Sequence, residues 1–344
     1  AQCTDREQLM SQLRQFRQRE MLRIIWRDFN RLADMTETTL DVSVLAEVCI
    51  DLSLEFLQKQ LSSDFGQPLV DGVQQKMVVI AMGKLGAREL NVSSDIDMIF
   101  AYPEAGQTEG GRRSISNQEF FIKLAQQLIE AIDKTTAEGF VFRVDMRLRP
   151  YGESGALVVN FNAMEEYYQD QGRDWERYAL IKARVISGDQ GQGQQLMDAL
   201  RPFVYRRYID FGAIDALRSM KSMINTEVRR RNLQGNVKLG HGGIREVEFT
   251  VQCFQLIRGG RIPALQKREL LEVLEHCVEF DCLPREAVEE LRAAYIFLRN
   301  TEHGIQGFAD KQTQALPTVE YEQIALATVM GFSSWEEFLA VLDE

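Results

Sequence analysis

The sequence predicts an α+β protein: a small mixed sheet flanked by N-terminal helices and by a large C-terminal helical region. Three observations point there. Before residue 62 apolar residues recur at steps of three and four, the helical period. Between 68 and 160 the period falls to two, and short β-branched runs appear. From 161 onward the spacing reads as helix alone. The chain has 344 residues, 45% hydrophobic and 26% charged, enough apolar content for a real core and against wholesale disorder. The expected organisation is a helical segment over 1–65, a core over 66–160 and a helical domain over 161–344.

In chain order, Leu9, Leu13 and Phe16, then Leu22, Ile25, Phe29 and Leu32, mark the first helical stretch. A polar link, Asp34–Asp41, separates it from a second helix, Val44 to Leu61. Ser62 to Pro68 is rich in turn residues and closes the segment. Met77 to Met82 reads as a strand buried on both faces, and Gly83-Lys84-Leu85-Gly86 ends it. In Asp95 to Phe100 the residues Ile96, Met98 and Phe100 share one face, Asp95 and Asp97 the other. Residues 117–133 form a helix through Phe120, Phe121, Leu124, Leu128 and Ile132. Over 140–149 the alternation predicts another strand, with Arg143, Asp145, Arg147 and Arg149 on one side, until Pro150 stops it. Gly155 to Val159 is one more strand. Helices are then expected over 162–171, 174–187, 190–204, 212–232, 243–258, 264–279 and 284–303, with a weaker pair near 319–343.

Composition excludes several classes. Forty basic against 51 acidic residues leave a net charge of −11, whereas gripping a nucleic-acid backbone calls for a basic surplus. Five cysteines without a C-x-x-C argue against a disulfide framework or a thiolate zinc site, and for a reduced, cytoplasmic protein. The longest apolar run, Met77 to Met82, falls far short of the ~18 residues of a membrane span. The first residues lack the grammar of a signal peptide. Since the chain does not begin with Met, a piece of a longer polypeptide is expected.

The chemistry concentrates in one stretch. Asp95-x-Asp97 on a strand sets two carboxylates on one face, about 7 Å apart along the backbone. Bare carboxylates at ~6 Å repel by roughly 3 kcal/mol at an effective dielectric of about 20, unless a cation lies between them. Oxygen-only ligation by a few carboxylates and substrate phosphates is the habit of Mg²⁺ or Mn²⁺. The plain alternative is two exposed acids at a strand end. Upstream, the Gly83–Gly86 turn is suited to presenting backbone N–H groups to a phosphate. A third acid, Asp145, sits among arginines on another strand; the alternative for it is an ion pair with Arg143 or Arg147. Together these are the parts of a metal-assisted site for transfer at phosphorus. Elsewhere plainer readings hold. Trp175 is expected in the core, Arg206-Arg207 and Arg229-Arg230-Arg231 on solvated helix faces, and Glu246 in a pairing role.

Four motifs carry a resemblance. Gly83-Lys84-Leu85-Gly86-Ala87-Arg88-Glu89-Leu90-Asn91-Val92-Ser93-Ser94-Asp95-Ile96-Asp97 resembles the nucleotidyltransferase core of the bacterial glutamine synthetase adenylyltransferase/adenylyl-removing family. So do the runs from Val144 to Gly155, from Gly172 to Ala179 and from Lys238 to Phe249. The wording of Gly172 to Tyr178 and Gly243 to Glu248 is similar to the N-terminal, adenylyl-removing half. Ala87 departs from the family, which usually has glycine there. The resemblance implies a nucleotidyltransferase core at 66–160, with 161–344 completing its cleft. It implies phosphorolysis of adenylyl-tyrosine on adenylylated glutamine synthetase, with phosphate, ADP or ATP as small-molecule partners and the PII signalling protein as regulator. Asp95, Asp97 and Asp145 are then the metal ligands for Mg²⁺ or Mn²⁺. Gly83, Lys84, Gly86, Ser94, Arg147 and Arg149 are the phosphate-binding candidates, with Lys84 and Ser94 also able simply to shape the turn. Adenylylation of the same tyrosine from ATP, or a non-catalytic partner-binding module, are the other readings.

Overall fold

The computed structural model describes residues 3–207, 211–230, 235–308 and 312–343. Arg231 and the side chain of Arg229, and with them the expected basic run, lie outside the described residues. By its contacts the chain divides into two compact units. The first comprises Ala1–Met21, Ser43–Leu90 and Asp95–Val204; the second comprises Leu22–Val42, Asn91–Ser94 and Tyr205–Glu344.

Two long helices open the chain, α1 (Arg6–Phe29) and α2 (Met35–Phe65). Then come β1 (Gly66–Val70), β2 (Val73–Gln74), β3 (Val78–Ala81), the single turn α3 (Gly83–Gly86), β4 (Ile96–Tyr102), β5 (Gln107–Gly110) and α4 (Asn117–Asp133). The short strands β6 (Val144–Asp145) and β7 (Val158–Asn160) follow, then α5 (Phe161–Asp170), α6 (Asp174–Leu180), β8 (Arg184–Ser187) and α7 (Gln190–Val204). The remainder is helical: α8 (Phe211–Arg230), α9 (Ile244–Arg258), α10 (Leu270–Glu279), α11 (Arg285–Gly307), α12 (Glu320–Met330) and α13 (Trp335–Asp343).

In the first unit β3 is an interior strand of the main sheet, and its residues Val78, Val79 and Ile80 are almost wholly buried. It pairs antiparallel with β4 on one side and with β8 on the other. The far edge of β4 carries two parallel partners in succession: β6 beside Ile96 and Asp97, then β7 beside Phe100 to Tyr102. A smaller sheet, β2-β1-β5, is antiparallel throughout. Helix α4 buries Phe120, Phe121, Leu124, Leu128 and Ile132, and starts at Ser116, whose hydroxyl accepts the Glu119 N–H at 3.1 Å. Arg14 of α1 is fully buried, yet its guanidinium donates to the carbonyls of Met10, Ala131, Lys134 and Gly139, which satisfies an otherwise costly charge.

The second unit has its own core, including Met35, Val247, Val251, Leu274, Val288, Leu298 and Phe338. Helix α11 adds a row of buried polar residues, Arg299, Glu302, His303 and Gln306. His303 lies 3.6 Å from the buried carboxylate of Asp28, which also accepts the Thr38 hydroxyl at 2.9 Å. Among the described residues no single helix is long and apolar enough to cross a membrane.

The α+β class and most helices stand where their periodicity puts them; the differences are local. The expected polar link over Asp34–Asp41 is helix from Met35, because Asp34 Oδ1 caps it by accepting the Glu37 N–H at 2.8 Å. Residues 174–187 are not one helix. The chain leaves α6 and its β-branched Val185-Ile186 pair becomes strand β8, which satisfies the open edge of β3. Over 140–149 only Val144 and Asp145 are strand, since β7 takes the next stretch of the β4 edge. Trp175 is 39% exposed rather than core.

Candidate active site

The first unit gathers the chemistry at one end of β4. Strand pairing sets Asp97 of β4 directly beside Asp145 of β6 in parallel register, so the two residues are neighbours across a spacing of about 4.8 Å. The α3 turn stands next to them: Met82 N–H donates to the Asp97 carbonyl at 2.9 Å. Gly83 follows with φ of 53°, and a Cβ built there would meet Asp97 Oδ2 at 2.9 Å. Glycine therefore does two things at 83. It takes the left-handed backbone cheaply, and it puts no Cβ against the Asp97 carboxylate.

Arg147 lies on this pair. Its Nε donates to Asp145 Oδ2 at 2.8 Å and to Oδ1 at 3.1 Å, Nη2 also reaches Oδ2, and the Arg147 backbone N–H binds Oδ1 at 2.8 Å. These hydrogen bonds hold the Asp145 carboxyl below its ordinary range, against the opposing effect of burial. The guanidinium is raised in turn, first by Asp145 and further by the charges of Asp97 and Glu153. The side chains differ in access: Asp145 is 14% exposed, Arg147 71%. A largely buried carboxylate is thus covered by a cation whose side chain faces water.

The other expected site residues are spread around this pair. Asp95 precedes β4 and accepts from Arg143 Nε at 3.2 Å. Among the described residues no group of three or more His, Cys, Asp or Glu side chains stands together as a ready metal cluster; strand pairing sets Asp97 beside Asp145, and Asp95 and Asp145 each hold an arginine. Gly86 is buried against another segment, where a Cβ would come within 1.9 Å of the Lys182 carbonyl oxygen. Lys84 is half-buried on the same turn. Arg149 turns to the backbone, donating to the carbonyls of Met146 at 2.7 Å, Glu153 at 3.1 Å and Gly155 at 3.4 Å. Ser94 is half-buried and belongs by its contacts to the second unit.

Sequence reasoning missed Glu176. It is buried at 2% exposure, and its carboxylate accepts the Tyr167 hydroxyl at 2.7 Å and the Arg173 N–H at 2.9 Å. A glutamate three residues into a helix, reaching back to the backbone N–H of the residue before it, is the signal that marks it. Glu89 and Lys182, each under 10% exposed, form a second buried pair at 2.9 Å behind the α3 turn.

Two carboxylates side by side on adjacent strands suit a divalent cation that keeps part of its shell for substrate oxygens. Such a pair on a small mixed sheet, beside a glycine turn, defines an α+β fold of the nucleotidyltransferase type. Residues 1–199 match the family model described as glutamate-ammonia ligase adenylyltransferase, and residues 218–344 match the one described as GlnD PII-uridylyltransferase. The chain belongs to the glutamate-ammonia ligase adenylyltransferase family. It is 60% identical over 98% of its length to a bifunctional glutamine synthetase adenylyltransferase/adenylyl-removing enzyme of Pseudomonas aeruginosa, of which it covers 34%. The proteins of that name from Hahella chejuensis and Vibrio parahaemolyticus are 58% and 53% identical over 98% of the chain, which covers 35% and 36% of them. The chain thus spans about a third of the length of these relatives.

Proposed function

We propose that this chain carries a metal-dependent adenylyl-removing activity, the phosphorolysis of adenylyl-tyrosine on glutamine synthetase. The observation that carries the reading is the in-register Asp97–Asp145 pair beside Gly83. The resemblance of the Gly172–Tyr178 and Gly243–Glu248 runs to the adenylyl-removing half favours this direction over adenylylation.

In the reaction an oxygen of inorganic phosphate forms a bond to the AMP phosphorus while the phosphorus–tyrosine oxygen bond breaks. ADP leaves, and the phenolate takes a proton from water. Inorganic phosphate is already an anion near neutrality, with a substantial dianionic fraction, so no histidine base is required to activate it. Asp97 and Asp145 would hold Mg²⁺ or Mn²⁺, with Asp95 as the further expected ligand; when bound, the ion neutralises charge on the phosphoryl oxygens and the departing phenolate. Arg147, exposed at its tip, exchanges part of its grip on Asp145 for a phosphate oxygen, for which its fork is well shaped. Lys84 and Ser94 are assigned to phosphate contact. Gly83 puts no side chain against Asp97, Gly86 fixes the turn behind it, and Arg149 fixes the loop that carries Arg147. The reaction belongs in the cytoplasm, with PII as the regulatory partner.

The test is incubation of the chain with adenylylated glutamine synthetase, phosphate and Mg²⁺ or Mn²⁺, following ADP. ADP formation that disappears in Asp97→Asn is the expected result. Formation of adenylyl-tyrosine from ATP instead makes this the adenylylating site. No turnover in either direction from the folded chain, with PII supplied, makes it a binding module.

A further inference from the structure

The β4 edge has a gap between its two parallel partners. Strand β6 ends at Asp145 beside Asp97, and β7 begins at Val158 beside Phe100. Three residues along β4, about 10 Å, are therefore bridged by an excursion over residues 146–157. That loop is folded tightly on itself: Arg149 N–H donates to the Met146 carbonyl, Gly152 N–H to Arg149 and Gly155 N–H to Gly152. The Arg149 guanidinium ties the carbonyls of residues 146, 153 and 155 together. Arg147, at its start, feels the charges of both Asp97 and Glu153. The loop is a rigid rim rising from the carboxylate pair.

At its tip stands Tyr151. Its backbone is left-handed, with φ 62° and ψ 9°, a conformation that glycine or asparagine adopts more readily than a bulky residue. The residue is 53% exposed. The ring is nonetheless fixed from behind: Tyr167 of α5 lies 4.5 Å away, centroid to centroid, at 59°. The hydroxyl of Tyr167 is anchored on buried Glu176. A large aromatic in a strained backbone, backed by a second anchored ring and open to water, gains little for the fold. Such strain gathers where a ligand is held.

We propose that Tyr151 is the stacking platform for the purine base of the adenylyl group, resting on the reading of the Asp97–Asp145 pair as the phosphoryl site. The base lies one ribose from the reacting phosphorus, and the rim starts at the carboxylate itself. A tyrosine face held by two-point packing presents stacking surface with little rotamer freedom left to lose. Glu176 then acts as a positioning residue, through Tyr167.

The test is calorimetric binding to the whole chain in Mg²⁺, with ADP and with inorganic tripolyphosphate, which has no base. Tyr151→Phe keeps ADP affinity within about threefold, and Tyr151→Ala loses roughly tenfold to a hundredfold. Tyr151→Asn, which accepts the left-handed backbone, loses as much. Tripolyphosphate affinity is unchanged in all three. ADP affinity that survives in Tyr151→Asn overturns the platform, and so does an equal loss for tripolyphosphate, since Tyr151 then only shapes the rim. If the unsubstituted chain binds tripolyphosphate but ADP no better, the platform falls and the phosphoryl site stands. If it binds neither, both fall.

Discussion

Two glycines three residues apart on one turn have different work, and substitution separates them. Alanine at 83 meets a left-handed backbone, costing about 1–2 kcal/mol, and its methyl presses on Asp97 Oδ2. A carboxylate can swing aside, so Gly83→Ala folds but loses most of its turnover. Alanine at 86 meets the Lys182 carbonyl, a backbone atom that cannot yield cheaply. Gly86→Ala is expected to lose about 1–3 kcal/mol of stability. Thermal melts and the ADP assay on the two variants check the distinction. The sequence shows both positions as members of one glycine turn, because a spacing records neither φ nor the segment that packs behind. The same holds for Arg147 and Arg149. Alternation put them on one face, yet one lies on Asp145 and the other on carbonyls of its own loop.

At the scale of elements, what was legible was what has a period. Helix α4 and strands β3 and β4 carry clean patterns and stand as expected. What was hidden was pairing: β8 is strand because β3 has an open edge, and β6 stops after two residues because β7 occupies the rest of that side. No local propensity encodes either fact. The Asp97–Asp145 adjacency was legible only as a shared polarity; its register comes from those pairings. Ionic links between helices make a further prediction. Glu246 of α9 pairs with Lys221 of α8 and accepts the Gly242 N–H at 2.9 Å. Burial pushes its carboxyl up, but Lys221 and the Gly242 N–H outweigh this, and the net shift is downward. With the folded pKa below the unfolded value of about 4.3, its contribution is complete above that value and drains as pH falls through the folded one. Glu246→Gln should therefore lower Tm slightly at pH 7 and flatten its decline below about pH 4, read from melts at successive pH values.

For the whole molecule, the two family matches meet between residues 199 and 218, but the contacts do not divide the chain there alone. The second unit takes Leu22–Val42 and Asn91–Ser94 as well as everything after Tyr205, and Met35 belongs to its core. Its buried Asp28 and Thr38, set near His303, also come from the early segment. A fragment comprising 205–344 alone lacks these groups and leaves His303 without its carboxylate. It is expected to melt without a cooperative transition, or at least about 10 °C below the full chain, by circular dichroism; a sharp melt at the parent temperature shows that the early segment is dispensable. Helices α1 and α2 each run through residues of both units.

The gap on the β4 edge has one more consequence. Because strands on either side of it pin both ends of the 146–157 excursion, its tip is tethered at two points of a single strand. A side-chain exchange at that tip is therefore expected to leave the alignment of the acidic pair beneath it undisturbed.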